Sequence, residues 1–209
     1  GKFYPVGHPL HNQETIEIRF MTAKDEDILT SRSLLKKGIA IDRLIANIIV
    51  DENIDSSSLL IGDRYAIIVA ARASAYGHSY KTKVSCPTCT VSSDHTFDLL
   101  NPQVYSGGNY GDYNIKKNDR DNHVVTLPFT QIEVEVRMLT GNDEANLIRK
   151  MQRASKTNTD ISISEQMKAY ILSVNGYNEK NTIDHVVKNI TAHESRYLRN
   201  AYKSIAPEL

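Results

Sequence analysis

The sequence contains one motif with the residue types and spacing of a metal or redox site, Cys86-Pro-Thr-Cys89. Two thiolates at this spacing can bind one tetrahedral ion, and such a turn between two strands forms half of a zinc-ribbon knuckle. A structural zinc site needs four ligands, and the chain has 2 cysteines in all. His78 or His95, or a matching pair from a second subunit, could complete the set. The alternative is a pair of free thiols in an ordinary turn.

The same two cysteines could also serve a thiol oxidoreductase, but their setting disfavours it. A redox pair of this kind lies at the amino end of a helix, where the dipole lowers the thiol pKa. The 7 histidines form no metal-binding pair of the H-x-x-x-H type, and the sequence has no nucleophile elbow and no phosphate-binding glycine loop. We therefore predict no catalytic residues, no enzymatic activity, and no cofactor apart from the zinc considered above.

Composition excludes further classes of function. The 209 residues carry 25 basic and 25 acidic side chains, so the formal net charge is zero. That balance disfavours broad binding to nucleic acid, and Lys81 and Lys83 beside Tyr76 and Tyr80 are typical of a solvated strand face. No apolar run reaches the roughly 18 residues of a membrane span. Two cysteines make no disulfide framework, which fits a reducing cytosol.

Hydrophobic periodicity predicts the elements that hold the motif. Alternation from Tyr80 to Cys86, with a return strand through His95, Phe97 and Leu99, predicts a β-hairpin whose turn contains both cysteines. Upstream, Ile16, Ile18 and Phe20 predict a short strand. Thr22 and Asp25 follow it as the capping residues of a helix.

Two further helices are predicted before the hairpin. One apolar helical face is formed by Ile41, Leu44, Ile45, Ile48 and Ile49. The segment 63–76 is apolar in nearly every direction, so we expect a helix that is buried on most sides at the centre of an N-terminal cluster.

The remaining sequence changes from strands to helices. Residues 101–122 are rich in Gly, Asn, Asp and Tyr and predict a long loop, and the alternation over 132–138 predicts a strand. The last third is helical, including one helix that carries Met167, Tyr170, Ile171 and Val174. The sequence thus predicts an α+β fold with an N-terminal helical cluster, a central antiparallel β-hairpin region and a C-terminal helical bundle. We divide it at 1–77, 78–139 and 140–209, and detect no internal repeat.

The long loop is a candidate for contact with other proteins. Tyr105, Tyr110 and Tyr113 are amphipathic side chains of the type enriched at protein interfaces. A mobile surface loop without a function explains the same composition.

Several blocks of the sequence carry a family resemblance: the segments 18–30, 60–64, 71–72, 76–80 and 86–89, and a closing block with Leu198, Arg199 and Pro207. They resemble a baseplate hub and hub-assembly protein family of contractile-tailed phages of the T-even type. The junction from Leu127 and Pro128 to 136–144 is similar to one shared with phage tail-assembly proteins more broadly. The chain departs from the family at Thr90, where many relatives carry Gly.

The resemblance implies a non-catalytic protein of the phage tail baseplate, located in the virion and assembled in the host cytoplasm. Its partners would be other baseplate and tail proteins, and self-association is compatible with the same surfaces. Two other functions stay open: an assembly factor that is absent from the finished virion, and a zinc-knuckle module whose hairpin binds nucleic acid or a peptide.

Overall fold

A computed structural model describes residues 1, 3–156 and 163–206 of the chain. The mixed α+β fold expected from the sequence is confirmed, with helices at both ends and two small antiparallel sheets between them. The chain divides into two compact units, one from Gly1 to Val104 (unit 1) and one that begins at Tyr105 (unit 2). The hairpin therefore belongs with the N-terminal helices, and the later strands belong with the C-terminal helices. No helix of the described segments has the length and apolar content to cross a membrane.

Unit 1 consists of four helices followed by a two-stranded hairpin. Its elements are α1 (Ala23–Thr30), α2 (Arg32–Lys37), α3 (Ala40–Ile48), α4 (Ile61–Tyr76), β1 (Ser79–Ser85) and β2 (Ser92–Asp98). The predicted apolar face of α3 forms the core, where Leu44, Ile45 and Ile48 are buried. The exception is Ile41, which stays exposed. Of the strand predicted around Ile18, the structure retains an isolated bridge to Ile49.

Helix α4 is much less buried than the sequence predicts. Three of its residues are buried, Arg64, Ile67 and Ala71, and they form one stripe along the helix. The Arg64 guanidinium donates hydrogen bonds to Asp42 and to the Ser56 carbonyl oxygen. The prediction of burial on most sides is wrong because alanine favours a helix whether or not it is covered.

The described part of unit 2 contains four helices and a four-stranded antiparallel sheet with the order β3-β4-β5-β6. Its elements are β3 (Ile115–Lys117), β4 (His123–Thr126), β5 (Glu133–Val136), α5 (Gly141–Lys156), α6 (Ile163–Tyr170), β6 (Ile171–Val174), α7 (Lys180–Asn189) and α8 (Ala192–Ile205). Val134 and Val136 on β5 pack into a core with Met167 and Leu198. The alternation predicted for β5 is confirmed.

Two predictions for unit 2 are wrong. The helix expected to continue through Val174 ends at Tyr170, and Ile171–Val174 forms strand β6 beside β5. A spacing of three and four residues over so short a segment also fits a strand, and backbone pairing with β5 decides the outcome. The loop expected over 101–122 contains β3, which pairs with β4.

The two units share a sequence motif in which an extended segment leads into a helix, so the conclusion that the sequence has no internal repeat is wrong. Segment 16–26 (IEIRFMTAKDE) aligns with segment 134–144 (VEVRMLTGNDE). In unit 1, the Arg19 guanidinium donates two hydrogen bonds to the Asp25 carboxylate, at 2.7 and 3.0 Å. In unit 2, Arg137 donates two to Asp143, at 2.6 and 2.7 Å.

The surroundings of this junction are also repeated. Asp25 accepts the backbone N–H and the hydroxyl of Thr22, and Asp143 accepts the same two groups of Thr140. The Arg19 backbone N–H donates to the carbonyl oxygen of the last α3 residue, at 2.8 Å. The Arg137 backbone N–H donates to the carbonyl oxygen of the last α6 residue, at 2.9 Å. Each unit therefore uses the same ion pair to join an extended segment, the helix after it and a returning chain segment.

Candidate functional site

The β1–β2 hairpin is the candidate site, because both of its faces are open. The strands pair in antiparallel register from Ser79 with Asp98 to Ser85 with Ser92. Thr82 is half-buried and the other strand residues are exposed. A two-stranded hairpin without further packing is marginally stable in water. The described part of unit 1 therefore leaves this hairpin without a cover on either face.

The two faces of the hairpin differ in chemistry. We define the aromatic face by the cross-strand pairs on one side: Tyr80 with Phe97, Thr82 with His95, and Val84 with Ser93. The Tyr80 and Phe97 ring centroids are 6.5 Å apart, and the His95 ring meets Phe97 edge-on at 4.4 Å. Phe97 remains 44% and Val84 42% exposed, so the apolar side chains of this strip face solvent on either side of the Thr82–His95 pair.

One helix residue contacts the base of the aromatic face. The Arg72 guanidinium on α4 lies 4.5 Å from the Tyr80 ring centroid and 5.5 Å from that of Tyr76. This cation–π contact orients Tyr80 without covering the strip. The sequence analysis missed Arg72, although its position four residues before Tyr76 on one helix is a usable signal.

The structure places the two lysines of β1 away from the tyrosines that adjoin them in sequence. Lys81 and Lys83 point to the polar face of the hairpin, where Lys83 lies opposite Asp94. Tyr80 points to the aromatic face, and the Tyr76 hydroxyl donates a hydrogen bond to Glu26. The two lysines and the two tyrosines therefore do not form one surface.

The hairpin turn brings Cys86 and Cys89 together. The Cys86 N–H donates to the Val91 carbonyl oxygen at 3.0 Å, and the Thr90 N–H donates to the Cys86 carbonyl oxygen at 2.9 Å. The backbone N–H groups of Cys89 and Thr88 point at the Cys86 sulfur and lower the pKa of its thiol to about 7. Both thiols are free, and Cys89 is exposed.

Neither candidate histidine lies beside the cysteines. His95 pairs with Thr82, four residues from Cys86 along β1 or about 13 Å at the usual strand rise. His78 precedes Ser79 at the opposite end of the hairpin. Within residues 1, 3–156 and 163–206, no group of three or more His, Cys, Asp or Glu side chains could hold a metal ion. Zinc binding by one chain with these histidines stays a prediction without geometric support.

The turn carries backbone strain at Thr90, whose φ is 58°. A β-branched residue in this left-handed region is a conformational outlier. We expect Thr90→Gly to stabilise the hairpin by about 1 kcal/mol, because glycine adopts this φ without a steric penalty. Hydrogen exchange at the Thr90 and Cys86 amides measures the effect. Unchanged or faster exchange in the variant would contradict this account of the turn.

The three predicted contact tyrosines pack within unit 2. The Tyr105 hydroxyl donates a 2.5 Å hydrogen bond to the Ser204 carbonyl oxygen. Tyr110 shares a 3.0 Å hydrogen bond with His123, and the Tyr113 ring meets Tyr197 edge-on at 5.1 Å. These side chains are half-buried by their own chain. Their contact with another protein stays a prediction.

Fold and site together define a mixed α+β protein that exposes an amphipathic β-hairpin with a cysteine turn. Residues 5–120, just over half of the chain, match the family model described as T4 bacteriophage base plate protein, and the chain belongs to this family. The matched segment includes helices α1–α4 and the whole hairpin. No curated protein and no solved structure is significantly similar to the chain.

Proposed function

We propose that the chain is a non-catalytic structural component of the phage tail baseplate, in its hub or inner part. It acts through contacts with neighbouring baseplate and tail proteins, and it stays in the virion after assembly in the host cytoplasm. Membership of the phage base plate family supports this assignment. The functional contacts would then be made by a surface that the chain itself leaves uncovered.

The observation that carries the proposal is the open aromatic face of the hairpin. Tyr80, Val84 and Phe97 line one side of a two-stranded sheet, and all three stay exposed although Arg72 lies over the Tyr80 ring. Tyrosine is enriched among the residues that dominate binding energy at protein interfaces, and phenylalanine is enriched in interface cores. A neighbouring subunit that covers the strip would bury these rings and stabilise the hairpin at the same time.

We expect serine substitutions on the aromatic face to block incorporation into the baseplate. Tyr80→Ser with Phe97→Ser removes two anchors that would each contribute about 1–2 kcal/mol, so binding should fall at least tenfold. The measurement is the amount of the chain in baseplates purified from infected cells, relative to the unmodified chain.

The matched control uses the polar face of the same strands. Lys81→Ser with Thr96→Ser changes one residue on each strand and leaves the aromatic strip intact. We expect this variant to be incorporated at the unmodified level. Equal incorporation of both variants would refute the proposed contact surface, provided that circular dichroism shows both to be folded.

Mass spectrometry of finished particles tests the location. A structural component is retained in purified virions in a fixed ratio to other baseplate proteins. An assembly factor would be present on intermediates and missing from virions, and that result would replace the proposed function with the alternative one.

A further inference from the structure

The cysteine turn at the tip of the hairpin has the local geometry of a metal-binding knuckle. Two backbone hydrogen bonds close the turn, from the Cys86 N–H to the Val91 carbonyl oxygen at 3.0 Å and from the Thr90 N–H to the Cys86 carbonyl oxygen at 2.9 Å. Cys89 lies inside this closed turn, three residues after Cys86. Two thiolates at this spacing in a turn between two strands are the usual half of a tetrahedral zinc site.

One chain supplies half of the ligands that such an ion needs. A structural zinc site is closed by four protein ligands. The chain contains 2 cysteines, and the described residues provide no third ligand at the turn. The missing half must come from another polypeptide that can reach the tip.

The surface around the turn suits a second copy of the same chain. Residues 84–93 contain no charged side chain, so two tips can approach without repulsion between like charges. Val91 is 65% exposed beside the turn, and Val84 is exposed on the strand that leads into it. A two-fold axis through the ion would pair the two turns and would bring these valines toward the contact.

We propose that Cys86 and Cys89 bind one zinc ion together with the same two cysteines of a second copy, and that this shared site joins two chains at their hairpin tips. The four thiolates lie outside the aromatic face, which shares only Val84 with this contact, and the metal site does not depend on the proposed function. Its ligand set is four thiolates in a tetrahedron, with two from each chain.

Metal content and mass of the purified full-length chain test this proposal. With zinc present, we expect one ion per two chains and a dimer by light scattering. Removal of zinc with a chelator should return the monomer. Cobalt in place of zinc should give the absorption of a tetrahedral thiolate site.

Two variants separate the metal site from general effects on the turn. Cys86→Ser with Cys89→Ser should lose the bound zinc and the zinc-dependent dimer, with at least a 100-fold loss of zinc affinity. Thr90→Gly alters the same turn but keeps both thiols, and it should retain zinc and the dimer. One zinc per monomeric chain would overturn the proposal. So would a purified chain that retains no zinc, or a dimer that forms equally without the metal.

Discussion

Replacing Asp25 by alanine is expected to lower the free energy of unfolding of unit 1 by about 3 kcal/mol. The Asp25 carboxylate is fully buried and accepts hydrogen bonds from Arg19, from the backbone and hydroxyl of Thr22, and from the Asn47 amide at 2.6 Å. Alanine leaves these donors without an acceptor. The Arg19 side chain is 37% exposed and can turn to water, which limits the loss. Denaturant unfolding, monitored by amide hydrogen exchange in each unit separately, measures the effect.

The repeated junction offers a matched comparison for Asp25. Asp143 has the same arginine and threonine partners, but its side chain is 16% exposed, and no asparagine side chain among the described residues donates to it. Asp143→Ala should therefore cost less, about 2 kcal/mol, and should act on unit 2. Asp27→Ala, on the exposed side of α1, should change stability by less than about 0.5 kcal/mol. An Asp25 variant no less stable than the Asp27 variant would contradict the role assigned to this buried ion pair.

Hydrophobic periodicity correctly predicted the elements whose apolar residues recur at regular spacing within the element itself. Periodicity in the sequence predicts the apolar face of α3, the two strands of the hairpin, and strand β5. Helix α4 could not be predicted in the same way. Its alanines fit a buried or an open position equally. Arg64 occupies the buried stripe because Asp42 and Ser56 provide hydrogen-bond partners.

Long-range pairing explains what the sequence analysis missed. Strand β6 forms because its backbone pairs with the edge of β5. Its four residues are too few to give a periodic signal in the sequence. The repeat was missed because its two segments are short and lie far apart in the chain, although the arginine, threonine and aspartate spacing is the same in both segments. Aromatic character alone did not reveal that Tyr105, Tyr110 and Tyr113 pack within their own chain.

The hairpin connects the fold to the proposed function. Its register confirms the predicted strands, while its exposure on both faces is a property of the fold that periodicity cannot show. The alternation that normally marks a half-buried strand is present here without the layer that would bury it. A partner that supplies this layer accounts for the pattern.

Glu194→Ala is expected to destabilise unit 2 by about 3 kcal/mol, because the carboxylate is fully buried in the first turn of α8. Its Oε1 accepts the N–H groups of Phe129 and Thr130, at 3.1 and 2.8 Å, and the Thr130 hydroxyl at 2.9 Å. Glu194 thereby ties the β4–β5 loop to the start of α8. Among the described residues no cation pairs with it, so these donors and the helix amino end stabilise its charge.

The glutamine variant and the pH dependence distinguish the hydrogen bonds of Glu194 from its charge. Burial raises the pKa of the Glu194 carboxyl, but the Thr130 and Phe129 donors outweigh burial and lower it overall. Its charge therefore stabilises unit 2 above the ordinary glutamate pKa of about 4.3, and this contribution is lost as pH falls below that value. Glu194→Gln keeps an oxygen acceptor in place, so it should cost about 1 kcal/mol and should lose less stability than the unmodified chain below pH 4.3. Glu179→Ala, an exposed change in the same unit, should leave both the stability and its pH dependence unaltered. A glutamine variant as unstable as the alanine variant would show that the charge, and not the acceptor, holds the loop to α8.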